Sequence, residues 1–377
     1  MKVFFLMQDT PRLYGAERAT IALAAGLEPR SDVVPAFLLI EELRLGSAPG
    51  GLSADVEKHG LAVSRLPTNR RFSMGLVRRI RRACDVGEHV VLHCFGSKAT
   101  LHGALAAKWG RRFPVVTTLH GWLDRSDPKE KLYEKIEAAC VRRMPATVVL
   151  SRAYEDRMHR LRVDPSRVHR IASGCAPDDI VSSAQARQSP PPGQPFTVGV
   201  LARFSEEKNH DLILRAAAQL KRRSIPVQWR LAGGGPLRSR IEIEIQRLSL
   251  TDIVRVLPYT APDEFFPGIH ALVVGSRIEN LPYCVFETMA WCRPCIATRV
   301  GGLPELIEEG ATGFLVDSDS PDQMADRVKQ LSEDPDLARL LGRNARVKLE
   351  REFRLTACVE AHLDLYRKLV GPPIDDG

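Results

Sequence analysis

Short apolar runs, each closed by a polar loop that leads into a stretch with helical spacing, recur along the whole chain. Residues 3–7, 115–119, 197–201, 229–232 and 271–275 read as buried strands, and 90–92 reads the same way. After the first run comes a loop ending in Tyr14-Gly15-Ala16-Glu17-Arg18, then an apolar helix to about residue 27. Arg203 and Lys208 flank the loop after 197–201, with a helix over 211–222, and Gly233-Gly234-Gly235-Pro236 follows 229–232 with a helix from Leu237. Strands that alternate with helices in this way predict βα units and parallel sheets.

Polar side chains with chemical potential cluster just past the predicted strands. His120 ends the run at 115–119, and Glu279 stands in the loop after 271–275, before Pro282 opens a helix that carries Glu287. In an open α/β sheet, ligands collect at the carboxyl ends of the strands, where helix N-termini aim their N–H groups. A loop carboxylate there can hold sugar hydroxyls, and one just inside the helix can take a ribose diol.

A chain of 377 residues, 44% of them hydrophobic, suits two α/β domains. Residues 181–195, polar and proline-rich without a period, read as a linker between an N-terminal domain at 1–180 and a second strand series starting at 196. Charge is distributed unevenly between the halves. Residues 1–180 hold 29 Lys plus Arg against 20 Asp plus Glu, a balance of +9, and the remainder hold 25 against 26, a balance of −1. The first domain therefore faces something anionic.

The densest basic stretch is 69–82, which as a helix sets Phe72, Leu76, Val77 and Ile80 beside Arg78, Arg79, Arg81 and Arg82. Such a face is either a solvated surface or a site for anionic headgroups or a phosphorylated acceptor. Aromatic residues make up 6%, and no basic-aromatic platform appears, which points away from nucleic acid. The first apolar run is too short for a secretory h-region or a spanning helix, and eight cysteines without small-domain spacing suit a reducing cytoplasm.

Other motifs carry less. Cys292-Arg-Pro-Cys295 has the spacing of a redox pair, but a helix precedes it and a strand follows, the reverse of what lowers a thiol pKa. The 233–236 turn is not a G-x-G-x-x-G fingerprint, and no P-loop occurs. Asp334 reads as a helix cap, His93 as a core histidine, and no metal-ligand spacing is present.

Taken in order, Gly15-Ala-Glu-Arg18, Leu119-His-Gly121, Ala202-Arg-Phe-Ser-Glu-Glu-Lys208, Ala232-Gly-Gly-Gly-Pro236, Glu279-x7-Glu287 and Val300-Gly-Gly-Leu-Pro-Glu305 running into Gly313-Phe-Leu315 resemble the retaining glycosyltransferase family 4 (group 1), of GT-B fold. The resemblance spans nearly the whole chain and is strongest over 196–315. It implies two Rossmann-like, doubly wound parallel-sheet domains facing across a cleft: 1–180 for the acceptor, 196–355 for the nucleotide-sugar, and a C-terminal helix at 356–377 crossing back to the first domain. It also implies roles. Arg203 and Lys208 match the cations on the donor diphosphate, Glu287 the ribose ligand, Glu279 the grip on the sugar with help from Asn280 and Leu281, and His120 a contact to the donor sugar. Gly15, Gly234 and Pro258 match further donor contacts.

The same resemblance implies transfer with retention to a glycan or lipid-linked hydroxyl. The setting it suggests is lipopolysaccharide, exopolysaccharide or glycolipid biosynthesis. The protein would work in the cytoplasm, peripheral on the inner face of the membrane, with a nucleotide-sugar as substrate and no metal or other cofactor. Competing readings are a nucleotide-sugar epimerase of related shape and a non-catalytic interaction subunit. Three positions depart from the family pattern: Asn280 and Cys292 replace usual glycines, and Ser173-Gly-Cys-Ala176 replaces the usual N-G-hydrophobic-D stretch. They bear on donor-sugar choice and on local turn geometry.

Overall fold

The computed structural model describes residues 1–11, 13–30, 32–45, 51–87, 89–122, 128–186 and 194–371. They form two compact units, one of Met1–Gly174 with Leu355–Gly377 and one of Cys175–Arg354.

The first unit is built on seven parallel strands, β1 (Lys2–Gln8), β2 (Val34–Glu42), β3 (Ala62–Thr68), β4 (Val90–Phe95), β5 (Val115–Leu119), β6 (Ala146–Val149) and β7 (Val168–Arg170). Their order is β3-β2-β1-β4-β5-β6-β7, so the winding reverses between β1 and β4. Successive residues of β1 point to opposite faces. Val3, Phe5 and Met7 join one apolar cluster, and Phe4 and Leu6 join another. A sheet buried on both faces needs this near-continuous apolar strand.

The helix Leu355–Val370 supplies Val359, Leu363 and Tyr366 to the first of those clusters. It lies against the helix Gly15–Leu27 at Gly26, where any Cβ would meet Val359 Cγ2 at 2.6 Å. His93 is a core histidine in β4, with the Tyr366 hydroxyl 2.6 Å from Nδ1 and Thr118 Oγ1 2.7 Å from Nε2.

The second unit holds β8 (Phe196–Leu201), β9 (Val227–Ala232), β10 (Val254–Leu257), β11 (Ala271–Val274), β12 (Cys295–Thr298) and β13 (Gly313–Val316), all parallel. The order β10-β9-β8-β11-β12-β13 places the reversal between β8 and β11. Trp229, Val198, Val200, Ile213 and Leu214 pack in its core. Helix ends follow their sequence signals: Ser320 accepts from Gln323 N and Asp334 from Leu337 N, each with proline as the next residue.

The stretch read as a linker is partly structured. Ser183–Ala186 forms a helical turn in which Ala186 is buried, and Ala186 O accepts from Arg293. Residues 187–193 lie outside the described residues. The chain leaves the first unit at Gly174 rather than at 180, because the segment from Cys175 bonds into the second unit, Cys175 N donating to Phe353 O.

Candidate active site

In the second unit the loops after β8 and β11 meet at the switch point and are laced together. Lys208 closes a short turn, Glu206–Lys208, after β8. Its Nζ donates to Oε1 of Glu279, which follows β11, at 2.5 Å, and Ser276 Oγ donates to the same oxygen at 2.7 Å. Nearby, Arg277 N donates to Glu207 O and its guanidinium to Glu206 O. Burial pulls the Lys208 ammonium down in pKa, but the charge and hydrogen bond of Glu279 outweigh it and hold Lys208 above its ordinary value.

Arg203 is held from beneath. Its guanidinium donates to Oε1 of buried Glu207 at 2.8 Å, and Ser205 Oγ donates to that oxygen at 2.6 Å. Burial would raise the Glu207 carboxyl, yet the bonds from Ser205 and Arg203 bring it to about 2. The arginine side chain itself keeps 43% exposure, while Glu207 is 3% exposed. A fixed carboxylate thus orients a cation toward solvent.

Glycines set the close approaches around this pair. A Cβ on Gly301, at φ +54°, would stand 1.8 Å from Glu279 O, and Gly302 N donates to Asn280 O. Gly233 and Gly235 likewise let the turn after β9 lie on the backbone of 202–204, where Phe204 N donates to Gly234 O at 2.9 Å. Only glycine fits such contacts at positive φ. Cys292 also adopts positive φ, +51°, so this departure keeps the turn conformation that glycine usually supplies.

Leu281 and Asn280 are buried in the same loop, and Pro282 caps the helix Tyr283–Ala290 that carries buried Glu287. Burial and the nearby charge of Glu287 push the Cys175 thiol up to about 12. Pro258 is exposed at the carboxyl end of the edge strand β10, with its carbonyl accepting from Thr260 Oγ1. β9 separates this strand from β8, whose loop carries Lys208. All eight cysteines are free, and Cys292 and Cys295 are buried, with burial raising the Cys295 thiol well above its ordinary pKa.

In the first unit Gly15 opens its helix, and Glu17 Oε2 accepts from Tyr14 N, so this motif glutamate is a cap. His120 follows β5. Its ring stands 5.7 Å from that of Phe95, its Nε2 is buried with no hydrogen-bond partner among the described residues, and burial pushes its pKa down to about 4. The basic stretch forms a helix only from Met74, because Ser73 caps it by accepting from Leu76 N. Phe72 therefore lies ahead of the helix, 48% exposed. Two of its arginines are tied to backbone, Arg79 to Pro67 O and Arg81 to Ala106 O, whereas Arg78 and Arg82 are exposed.

Two family models match the chain: "Glycosyltransferase Family 4" over residues 14–179 and "Glycosyl transferases group 1" over residues 181–348. The chain belongs to the group 1, family 4 glycosyltransferases.

Relatives of this glycosyltransferase include an alpha-D-kanosaminyltransferase of Streptomyces kanamyceticus, 29% identical over 78% of this chain and 80% of that protein. A D-inositol 3-phosphate glycosyltransferase of Saccharomonospora viridis is 25% identical over 90% of this chain and 82% of its own length. Among solved structures, Anabaena HepE in complex with UDP and glucose superposes with a TM-score of 0.82 at 20% identity, covering 98% of this chain and all of that one. The fold is GT-B.

Two residues of this glycosyltransferase escaped the sequence reading. Glu207 stands beside exposed Glu206 in the quoted motif, and nothing in the string separates a buried anchor from a surface charge. Glu137 sits on the helix Pro128–Val141 without a motif, yet it is 4% exposed and bonded to Ser97 and Trp122. Among the described residues no cluster of His, Cys, Asp and Glu could hold a metal ion, and no helix is long and apolar enough to cross a membrane.

Proposed function

We propose that this glycosyltransferase moves a sugar from a nucleoside diphosphate sugar to a hydroxyl of a glycan or lipid-linked acceptor, with retention at the anomeric carbon. The observation that carries the reading is the Lys208–Glu279 pair joining the loops on either side of the β8/β11 switch point. Cleaving the sugar–phosphate bond builds charge on the departing diphosphate, and cations fixed before the reaction stabilise it without reorganising. Lys208 and Arg203 fill that role, with Glu287 on the ribose and Glu279 on the sugar hydroxyls. Asn280 and Leu281 add loop contacts, Gly234 and Pro258 line the nucleotide side, and the family resemblance gives His120 and Gly15 donor contacts as well.

Front-face displacement suits these groups. The departing phosphate oxygen takes the proton of the attacking hydroxyl, and the new glycosidic bond forms as the old one breaks. A double displacement needs a nucleophilic carboxylate at the anomeric carbon. Glu279 is poorly suited, since Oε1 is engaged by Lys208 and Ser276.

A role in surface polysaccharide or glycolipid assembly fits the basic first half and relatives such as the putative colanic acid biosynthesis glycosyltransferase WcaL of Escherichia coli. Exposed Arg78 and Arg82, with half-exposed Phe72 and Met74 nearby, support peripheral contact with the anionic inner face of the cytoplasmic membrane.

Thermal melting with UDP, GDP, ADP and their sugar conjugates tests the donor assignment, because a ligand of the native state raises the melting temperature. A shift with one nucleotide fixes the donor class. No shift with any of them counts against the transferase reading.

A further inference from the structure

Two loops of the first unit share one design. At the end of β4 the chain runs Phe95-Gly96-Ser97, and after β5 it runs His120-Gly121-Trp122. Each has a glycine at positive φ in the middle, +85° at Gly96 and +141° at Gly121. Glycine leaves such a pivot loose, so the direction of the preceding side chain depends on what fixes the residue beyond. The two preceding side chains are the rings of Phe95 and His120, 5.7 Å apart.

One carboxylate fixes both residues beyond. Oε2 of Glu137 accepts from Ser97 Oγ at 2.7 Å and from Trp122 Nε1 at 2.7 Å, while Oε1 accepts from Thr100 Oγ1 at 3.3 Å. Trp122 is pinned further by the Tyr154 hydroxyl, which accepts from its N and donates to its O, and by the Arg157 guanidinium 4.7 Å over its ring. Burial raises the Glu137 carboxyl in pKa against the bonds from Ser97, Trp122 and Thr100. A buried carboxylate is costly unless its oxygens are hydrogen-bonded, and here both accept from neutral donors.

We propose that Glu137 is a positioning residue for sugar transfer: its carboxylate ties Ser97 to Trp122 and so fixes the His120 imidazole against Phe95. The proposal rests on the reading that His120 contacts the donor sugar. Misplacing such a group by about 1 Å costs up to about 100-fold in rate.

The test uses the full chain labelled with 15N-histidine, as parent, Glu137→Ala, Glu137→Gln and Ser97→Ala, with His120→Asn identifying the resonance. His120 titrates near 4 in the parent, as does His270 in the second unit, which serves as the internal control. The Ala variants shift the His120 resonance and its titration and leave His270 in place, and Glu137→Gln, which keeps an acceptor oxygen, stays close to the parent. With UDP-glucose as probe, turnover falls about 10- to 100-fold in Glu137→Ala while UDP affinity is unchanged. If Glu137→Ala does not fold, Ser97→Ala carries the comparison. An unmoved His120 in the folded variants, or a moved His120 with full turnover, overturns the proposal. Failure of the parent to bind any nucleotide counts against the transferase reading, and the histidine spectra still decide the clamp.

Discussion

Lys208 Nζ lies 2.5 Å from Glu279 Oε1 although the residues are 71 positions apart, and the bond joins the loops after β8 and β11. The pair sits where the strand order reverses, the place at which an open α/β sheet leaves room for a ligand. Its members are 22% and 9% exposed, so the pair is largely shielded from water.

Glu279→Gln removes the charge that Lys208 faces and keeps the shape. Sugar transfer falls about 100- to 1,000-fold, while nucleotide affinity, measured by calorimetry with UDP, stays near that of the parent. Losing a charge-assisted bond costs about 1.5–3 kcal/mol, visible as a lowered melting temperature. Unchanged turnover would sink the role given to Glu279.

Lys208→Ala and Arg203→Ala separate the two cations. Lys208→Ala lowers kcat about 100- to 1,000-fold, as loss of a preorganised donor does. Arg203→Ala weakens nucleotide binding by about tenfold or more, in line with one charged hydrogen bond. Glu207→Gln resembles a weaker Arg203→Ala, because Glu207 orients that guanidinium. Steady-state kinetics and calorimetry on the three variants check the order.

Gly301→Ala places a methyl 1.8 Å from Glu279 O at φ +54°. Overpacking there costs about 1–3 kcal/mol, and the displaced loop loses transfer beyond what the stability change explains. Melting and turnover measured on one preparation distinguish this from simple unfolding. Equal losses in both would argue against a precise loop.

Stability falls as pH drops from 7 towards 4. Burial holds His120, His210, His270 and His362 at about 4, with Lys208 adding to the effect on His210 and Arg293 to that on His270. The unfolded chain protonates them near 6.5, so between these values it binds more protons, and stability rises with pH. His362→Gln makes the slope of melting temperature against pH shallower over that interval. Glu207 acts in a lower window: its depressed carboxyl contributes stability above about 4.5 that is lost as pH falls towards about 2.

Arg78→Glu with Arg82→Glu tests the membrane contact. Both side chains are exposed, so the fold is untouched, and cosedimentation with phosphatidylglycerol vesicles falls sharply with no change in UDP affinity. Binding equal to the parent's would show that this helix is only a solvated face.

The order of apolar runs and loops determined the α/β class, the parallel strands and the loops that carry Arg203, Lys208 and Glu279, because strand burial and helix period are local signals. Asp334 announced its helix start for the same reason. The helix at 69–82 was misjudged at its beginning, since Ser73 prefers to cap Leu76 rather than extend the turn back to Phe72. Tertiary structure alone decided that β8 neighbours β11, and hence that Lys208 meets Glu279. It also decided that Glu207 and Glu137 are buried anchors while Glu206 is a surface charge. A carboxylate has the same letter in either place. Its meaning comes from desolvation and from donors supplied by distant segments, and no local pattern records those.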